Sequence, residues 1–284
     1  MEQKRLKTAM IGVGGWGKDV AHELSAVSEL VYFASKENNA EVPNAKRATV
    51  EEICADPTVE AVAIATPIAT HAEIVRKVLE SGKHVLCEKP LAENSKDAYA
   101  LVELAGEKNL ILATDYIFLY HPAYRELKIR ARGKTITRVA CVWRGYGTFD
   151  ESIEMNSLAY HLSLAYDLLG MPETASIVRR EGSEAAGDNI ETTLTYPSGI
   201  FISDIDRLSQ EKMHTTTVTF ESGEILTWDG TRLTRGEELI LESTDAPLQK
   251  EIGEFLDAVK GGPLPPTAGD FGARVLEIHE MLQK

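Results

Sequence analysis

Gly12, Gly14 and Gly17 stand as G-x-G-x-x-G in "IGVGGWG", with Gly15 and Trp16 completing the turn. The apolar stretch "LKTAMIG" reads as a strand entering that turn. "WGKDVAHELSAV", with Val20, Leu24 and Val27 at helical spacing, reads as a helix leaving it. In that setting Gly12 permits a tight bend, Gly14 lets the backbone approach a pyrophosphate, and Gly17 lets helix and strand pack closely. The helix N-terminus offers unpaired N–H groups and a partial positive charge to phosphate oxygens. The pattern predicts a dinucleotide site. The end of the next strand selects the dinucleotide: an acid there hydrogen-bonds the ribose 2′-hydroxyl of NAD, and a basic residue suits the 2′-phosphate of NADP. Here "LVYFAS" ends on Ser35, and Lys36 follows. A hydroxyl donor beside a compact positive charge favours NADP. Glu37, swinging back to the ribose, keeps NAD possible.

The elements around this turn alternate between strand and helix. "VEEICADP" is a short helix stopped by Pro57, and "VEAVAIAT" is an apolar run suited to a buried parallel strand. "THAEIVRKVLESGK" is an amphipathic helix, "HVLCE" a strand, "NSKDAYALVELAGEKN" a helix with Ser95 as its cap, and "LILATDY" another strand. Such alternation implies a parallel sheet covered by helices over residues 1–118. The usual helix after the second strand is truncated in "SKENNAEVPNAKRATVEEI", which leaves the adenine side more open.

The rhythm changes after "YHPAYRELKIRARG". Strands now follow strands, among them "ITRVACVWRG", "TASIVRR", "IETTLTY", "GIFISDID", "TTTVTFES" and "EILTWDG", with turn signals such as "PSG" and "ESG" between several of them. Residues 119–265 are therefore expected to form a mostly antiparallel sheet, interrupted by the helix "IEMNSLAYHLSLAYDLLG". Two helices close the chain, "LQKEIGEFLDAVKGG" and "DFGARVLEIHEMLQ".

Composition narrows the function classes. Of 284 residues, 43% are hydrophobic and 26% charged, as in an ordinary globular protein. No apolar run approaches the ~18 residues of a membrane helix. A net charge of -14 excludes a nucleic-acid backbone or an anionic membrane as the main partner and leaves small molecules. Cys54, Cys87 and Cys141 are far apart with no CxxC, which suits a reducing cytoplasm. The seven histidines show no close ligand spacing, so no catalytic metal is expected.

The order "IGVGGWG", "AVAIATPIATHAEI", "GKHVLCEKPLA", "YHPAY" and an "LLG"-ended helix resembles the glucose-fructose oxidoreductase / inositol dehydrogenase family (GFO/IDH/MocA). The match runs over most of the chain and is densest in residues 6–125. The resemblance implies an α/β Rossmann domain (1–118), then an α+β domain with an open, mostly antiparallel sheet (119–265). It also implies a C-terminal helix (266–284) returning toward the first domain. It implies an NAD(P)-dependent oxidoreductase acting on a sugar, cyclitol or similar hydroxy or keto substrate, assembled as a homodimer or homotetramer through the sheet domain. In the family the EKP lysine stands near the nicotinamide ribose and the substrate hydroxyl, and Lys89 matches it. Lys89 can orient a substrate oxygen and stabilise charge on it. Glu88 pairs with a neighbour or a ribose hydroxyl. Thr66 and Pro67 border the nicotinamide and pyrophosphate crevice. His71, at the next helix start, caps and packs or takes part in the site. Ile68 stands where many relatives carry Asn.

The catalytic helix departs from the family pattern. Relatives carry an acid and, four residues later, a histidine before "LLG". Counting back from Leu168-Leu169-Gly170 puts Asn156 on the acid position, Tyr160 on the histidine and His161 beside it. A slip by one residue pairs Ser157 with His161, and the sequence leaves both registers open. On an α-helix Asn156 and Tyr160 share a face, as do Ser157 and His161. His161 is the better proton carrier, since an unperturbed imidazole titrates near ~6.5; Tyr160, near ~10, needs a nearby cation. Tyr120, His121 and Arg144, with Tyr146, are further substrate-side candidates. Two rival readings stand beside the dehydrogenase: an NADP-binding sensor or assembly subunit with a decayed site, and a reductase of a non-sugar such as an imine, enone or tetrapyrrole.

Overall fold

The computed structural model describes residues 5–145, 147, 152–182 and 188–284. The Tyr146 candidate lies outside the described residues. The chain divides into two compact units, residues 1–117 with 248–273 and residues 118–247 with 274–284.

In the first unit, β1 (Lys7–Ile11), α1 (Gly15–Val27), β2 (Glu29–Ala34), β3 (Lys46–Arg47), α2 (Val50–Ala55), β4 (Ala61–Ile64), α3 (His71–Glu80), β5 (His84–Glu88), α4 (Ser95–Glu107) and β6 (Leu112–Asp115) follow in order. The sheet runs β3-β2-β1-β4-β5-β6, and every pair is parallel. Helices cover both faces, so β4 is buried along its whole length, as its unbroken apolar sequence requires. Strand order reverses between β1 and β4, and in such sheets ligands bind beyond the carboxyl ends of the strands at that point. No helix occupies residues 35–45, as the sequence suggested. α2 starts on a Thr49–Glu52 capping box and ends before Pro57. The cap of α4 is Asn94 rather than Ser95; its side chain accepts from the Asp97 N–H and leaves Ser95 as the first helical residue.

The second unit opens with α5 (Pro122–Ala131) and β7 (Ile136–Arg144). A single π turn, Glu154–Leu158, leads into α6 (Ala159–Leu169). Then come β8 (Thr174–Glu181), β9 (Asn189–Tyr196), β10 (Gly199–Asp206), β11 (Met213–Phe220), β12 (Ile225–Trp228), β13 (Arg232–Arg235) and β14 (Glu238–Glu242). They form one sheet, β14-β13-β12-β11-β7-β10-β9-β8. β7 and β10 pair in parallel, and the other pairs are antiparallel. One face is buried: Val139, Cys141 and Trp143 alternate with half-exposed neighbours along β7, and Ile190, Thr192, Leu194 and Tyr196 do so along β9. α7 (Pro247–Val259) then returns the chain to the first unit, placing Leu248, Ile252, Phe255 and Leu256 in a core with Met10, Leu24, Phe33 and Leu86. α8 (Phe271–Met281) ends the chain. Among the described residues no helix is long and apolar enough to cross a membrane.

Candidate active site

The glycine turn joins β1 to α1 at the strand-order reversal. Gly12 has φ +93°, and a Cβ there would lie 2.3 Å from the Ala65 carbonyl oxygen. A Cβ on Gly17 would lie 2.1 Å from the Gly12 carbonyl oxygen. These two glycines are required by packing alone. Gly14 and Gly15 are different. Around a Cβ on Gly15 there is nothing within 4 Å, and a Cβ on Gly14 would meet only Glu37 Oε1, at 3.6 Å. Gly14 caps α1 with no side-chain hydrogen bond, and the first turn of α1 carries no acid. No side chain caps the start of this helix, and Gly14 and Gly15 leave room beside it. This cradle fits the pyrophosphate of a dinucleotide.

The loop after β2 is held by Arg47 on β3. Its guanidinium donates to the carbonyl oxygens of Ser35 (2.9 Å), Glu37 (2.8 Å) and Ala40 (2.8 Å) and lies 5.1 Å over the Phe33 ring. Ser35 Oγ accepts from the Glu37 N–H at 3.1 Å. Lys36 is exposed. Glu37 reaches back toward the glycine turn, 3.9 Å from Lys18. The sequence reading did not include Arg47; a lone basic residue two strands' width from the turn gives no local signal, and only the sheet order brings it there.

Lys89 follows β5, at the same strand ends as Gly12 and Thr66, and is half-buried. The Lys89–Pro90 peptide is cis. Glu88 is 9% exposed; it accepts from the Trp16 indole N–H and from the Lys89 N–H at 3.1 Å. Burial, then the adjoining Asp115, holds its carboxyl well above the usual range. His71 is buried with one ring nitrogen 2.8 Å from the Pro90 carbonyl oxygen and the other 2.7 Å from that of Thr66. A neutral ring donates to one of them; an imidazolium donates to both. His71 ties the turn after β4 to the turn after β5. Thr66 Oγ1 accepts from Thr70 Oγ1 at 2.8 Å, and Pro67 is exposed.

In the second unit, Leu158 N–H donates to the Ile153 carbonyl at 2.9 Å, an i→i+5 bond. The π turn inserts a residue between Asn156 and Tyr160, so the shared face expected of an uninterrupted α-helix is lost. Asn156 is half-buried within that turn. The Tyr160 ring packs 4.5 Å from Phe118 and 5.8 Å from Trp143. His161 is fully buried. Its Nδ1 is 2.7 Å from Ser203 Oγ, its ring stacks on His214 at 5.8 Å and 17°, and Nε2 has no hydrogen-bond partner among the described residues. Burial, then His214, takes the His161 imidazole well below its ordinary value, and burial takes His214 down to about 4. The unperturbed titration that recommended His161 from sequence is therefore not what its surroundings give.

The remaining candidates have other partners. His121 Nδ1 accepts from the Ala123 N–H at 3.2 Å and so caps α5. Tyr120 is buried with the Arg125 guanidinium 4.9 Å over its ring. Arg144 forks onto the Asp204 carboxylate. Alternation along β7 puts it on the sheet face opposite Trp143, so it is not brought together with His161. Asp167 accepts from Tyr124 Oη at 2.7 Å and pairs with Lys128.

Comparison with known proteins agrees with this architecture. UDP-N-acetylglucosamine 3-dehydrogenase of Acidithiobacillus ferrooxidans is 35% identical over 129 residues, 43% of this chain and 41% of that protein. The chain spans less than half the length of this and the next curated relatives it matches. The crystal structure of that enzyme, GnnA, superposes with a TM-score of 0.86 at 23% identity, covering 97% of this chain and 96% of that one. GenD2 from gentamicin A biosynthesis, solved in complex with NAD, gives 0.85 at 21% identity, covering 100% and 94%. At these identities the superpositions establish the fold of both units. Residues 6–116, which lie in the first unit, match the oxidoreductase family with an NAD-binding Rossmann fold, GFO/IDH/MocA.

Proposed function

We propose that the chain is a nicotinamide-dependent dehydrogenase or reductase, with NADP preferred, acting on the carbinol or carbonyl carbon of a sugar or cyclitol. The observation that carries this reading is the start of α1 at Gly14 and Gly15, uncapped by any side chain and with room beside it, on the same strand ends as Lys89. Gly12 to Gly17 and the α1 N–H groups would hold the pyrophosphate, and Thr66 and Pro67 would border it. Ser35 and Lys36 would take the 2′-phosphate, on a loop set by Arg47. The bound nicotinamide supplies a site for hydride exchange. Lys89 holds the reacting oxygen and stabilises charge on it. In the second unit Asn156, Tyr160 and the buried His161 are retained as candidate residues. A sugar substrate is supported by the names of relatives, UDP-N-acetylglucosamine 3-dehydrogenase and a dTDP-hexose 3-reductase of Streptomyces violaceoruber. Assembly through the sheet unit is tested by light scattering, which should give a dimer or tetramer mass; a monomer mass would reject it.

The test is NADPH oxidation and NADP reduction, followed at the nicotinamide absorbance, against a panel of keto-sugars, sugars and cyclitols. Turnover on at least one member is expected. Tight dinucleotide binding with no turnover on any of them would favour the sensor reading, which the burial of His161 supports.

A further inference from the structure

Behind the glycine turn the first unit buries three carboxyl groups together. Glu88 ends β5, Asp115 ends the neighbouring strand β6, and the two residues are in register. Glu251 enters from α7. They are 9%, 1% and 0% exposed. Asp115 neighbours Glu88 across the strand pair, and the Glu251 carboxyl reaches the backbone N–H of the residue that follows Asp115. Carboxyls crowded together away from water ionise reluctantly, so Glu88 and Glu251 keep their protons more tightly than exposed glutamic acids do. Trp16 Nε1–H and the Lys89 N–H serve Glu88, and the Tyr116 N–H serves Glu251 Oε1 at 3.1 Å. Glu251 Oε2 and Asp115 Oδ1 have no donor. Burial, then Asp115, pushes both glutamic acids well above the usual carboxylate range. The other titratable neighbours are the Cys87 thiol on β5, the Tyr116 phenol after β6 and the Lys89 ammonium. The first two are themselves raised by burial and these carboxyls, and Lys89 opposes the rise at Glu88.

One end of this cluster is in the cofactor turn, because Trp16 lies in the first turn of α1. Resting on the dinucleotide reading above, we propose that Glu251 is a positioning residue. Through Asp115 and Glu88 it braces Trp16 and the Lys89 backbone, and the protons on Glu88 and Glu251 are retained when an anionic dinucleotide binds. Negative charge brought to the α1 N-terminus disfavours ionisation of the triad, so binding takes up protons wherever the free protein has begun to lose them. Affinity then falls as pH rises. Neither Asp115 nor Glu251 contacts the dinucleotide in this account; both act through Glu88.

The test is calorimetric titration of the full-length protein with NADPH between pH 6 and 9, in buffers of different ionisation enthalpy. Wild type and Glu251→Gln are compared, with Asp115→Asn as the second variant. The amide of either variant replaces a buried carboxyl of the same size, so each should fold, as checked by melting temperature. The 2′-phosphate is common to all three proteins, and the difference between wild type and variants reads the carboxyl cluster. Wild-type affinity should fall with pH by up to about tenfold per unit, the slope of one linked proton. The slope and the proton uptake should drop by at least about half in both variants. Equal slopes and equal proton uptake in wild type and variants would overturn the inference while leaving dinucleotide binding intact. Absence of any binding by wild type would overturn the dinucleotide reading and this linkage together.

Discussion

Lys89 and His161 carry opposite lessons at the scale of single residues. Lys89 sits at the end of a buried strand, where a long side chain keeps its charge near water while its stem is covered. Lys89→Ala should cut kcat by about 10²-fold or more while dinucleotide affinity changes little. Near-normal turnover on the true substrate would remove Lys89 from the chemistry. His161 was legible as a histidine on the right helix, but its surroundings were not. Ser203 and His214, which contact its ring, come from β10 and β11, and nothing in their own segments marks them as its neighbours. With its imidazole held well below the usual value, the pH profile of kcat should show no inflection near ~6.5. An inflection there that disappears in His161→Asn would show that the ring titrates normally.

At the scale of elements, the βα alternation and the glycine turn were readable because each depends on local spacing. The π turn at Glu154–Leu158 was not. "EMNSLAYHLSL" contains neither Gly nor Pro, and the extra residue follows from packing around α6 rather than from local preference. β13 and β14 were missed because "RLTR" and "ELILE" mix charge and apolar residues without clean alternation. Glu251 left a signal that went unused: it is a carboxyl on the stripe that carries Leu248, Ile252 and Phe255 inward. Two element-level outcomes follow. Gly17→Ala forces a Cβ against the Gly12 carbonyl and should cost about 1–3 kcal/mol, measured by urea denaturation; an unchanged midpoint would mean that the turn yields freely. On the β2–β3 loop, Lys36→Glu should weaken NADPH binding at least about tenfold relative to NADH. An unchanged ratio would place the 2′-phosphate elsewhere.

The two units respond oppositely to pH, and this belongs to the whole molecule. In the first, Glu88 and Glu251 bind protons more tightly folded than unfolded. Their contribution to stability is therefore lost as pH rises above the unfolded carboxylate value of ~4.3. In the second, His161 and His214 bind protons less tightly folded than unfolded, so stability is lost as pH falls below ~6.5. Hydrogen exchange at pH 5.5 and 8.5 should show the protection of β4 and β5 falling at the higher pH and that of α6 and β10 falling at the lower. Parallel changes in both units would contradict these assignments.

The central claim is that the first unit holds a nicotinamide dinucleotide on its glycine turn. Fluorescence titration with NADPH and NADH tests it most directly, comparing wild type with Gly14→Asp. Gly14 has φ -92°, and its nearest neighbour is the end of a flexible side chain, so the aspartate is accommodated while its carboxylate repels the phosphates. Saturable binding by wild type, with Kd below about 1 mM, weakened at least about tenfold in the variant, is the predicted result. No saturation with either dinucleotide, or equal affinity in the two proteins, would contradict the account.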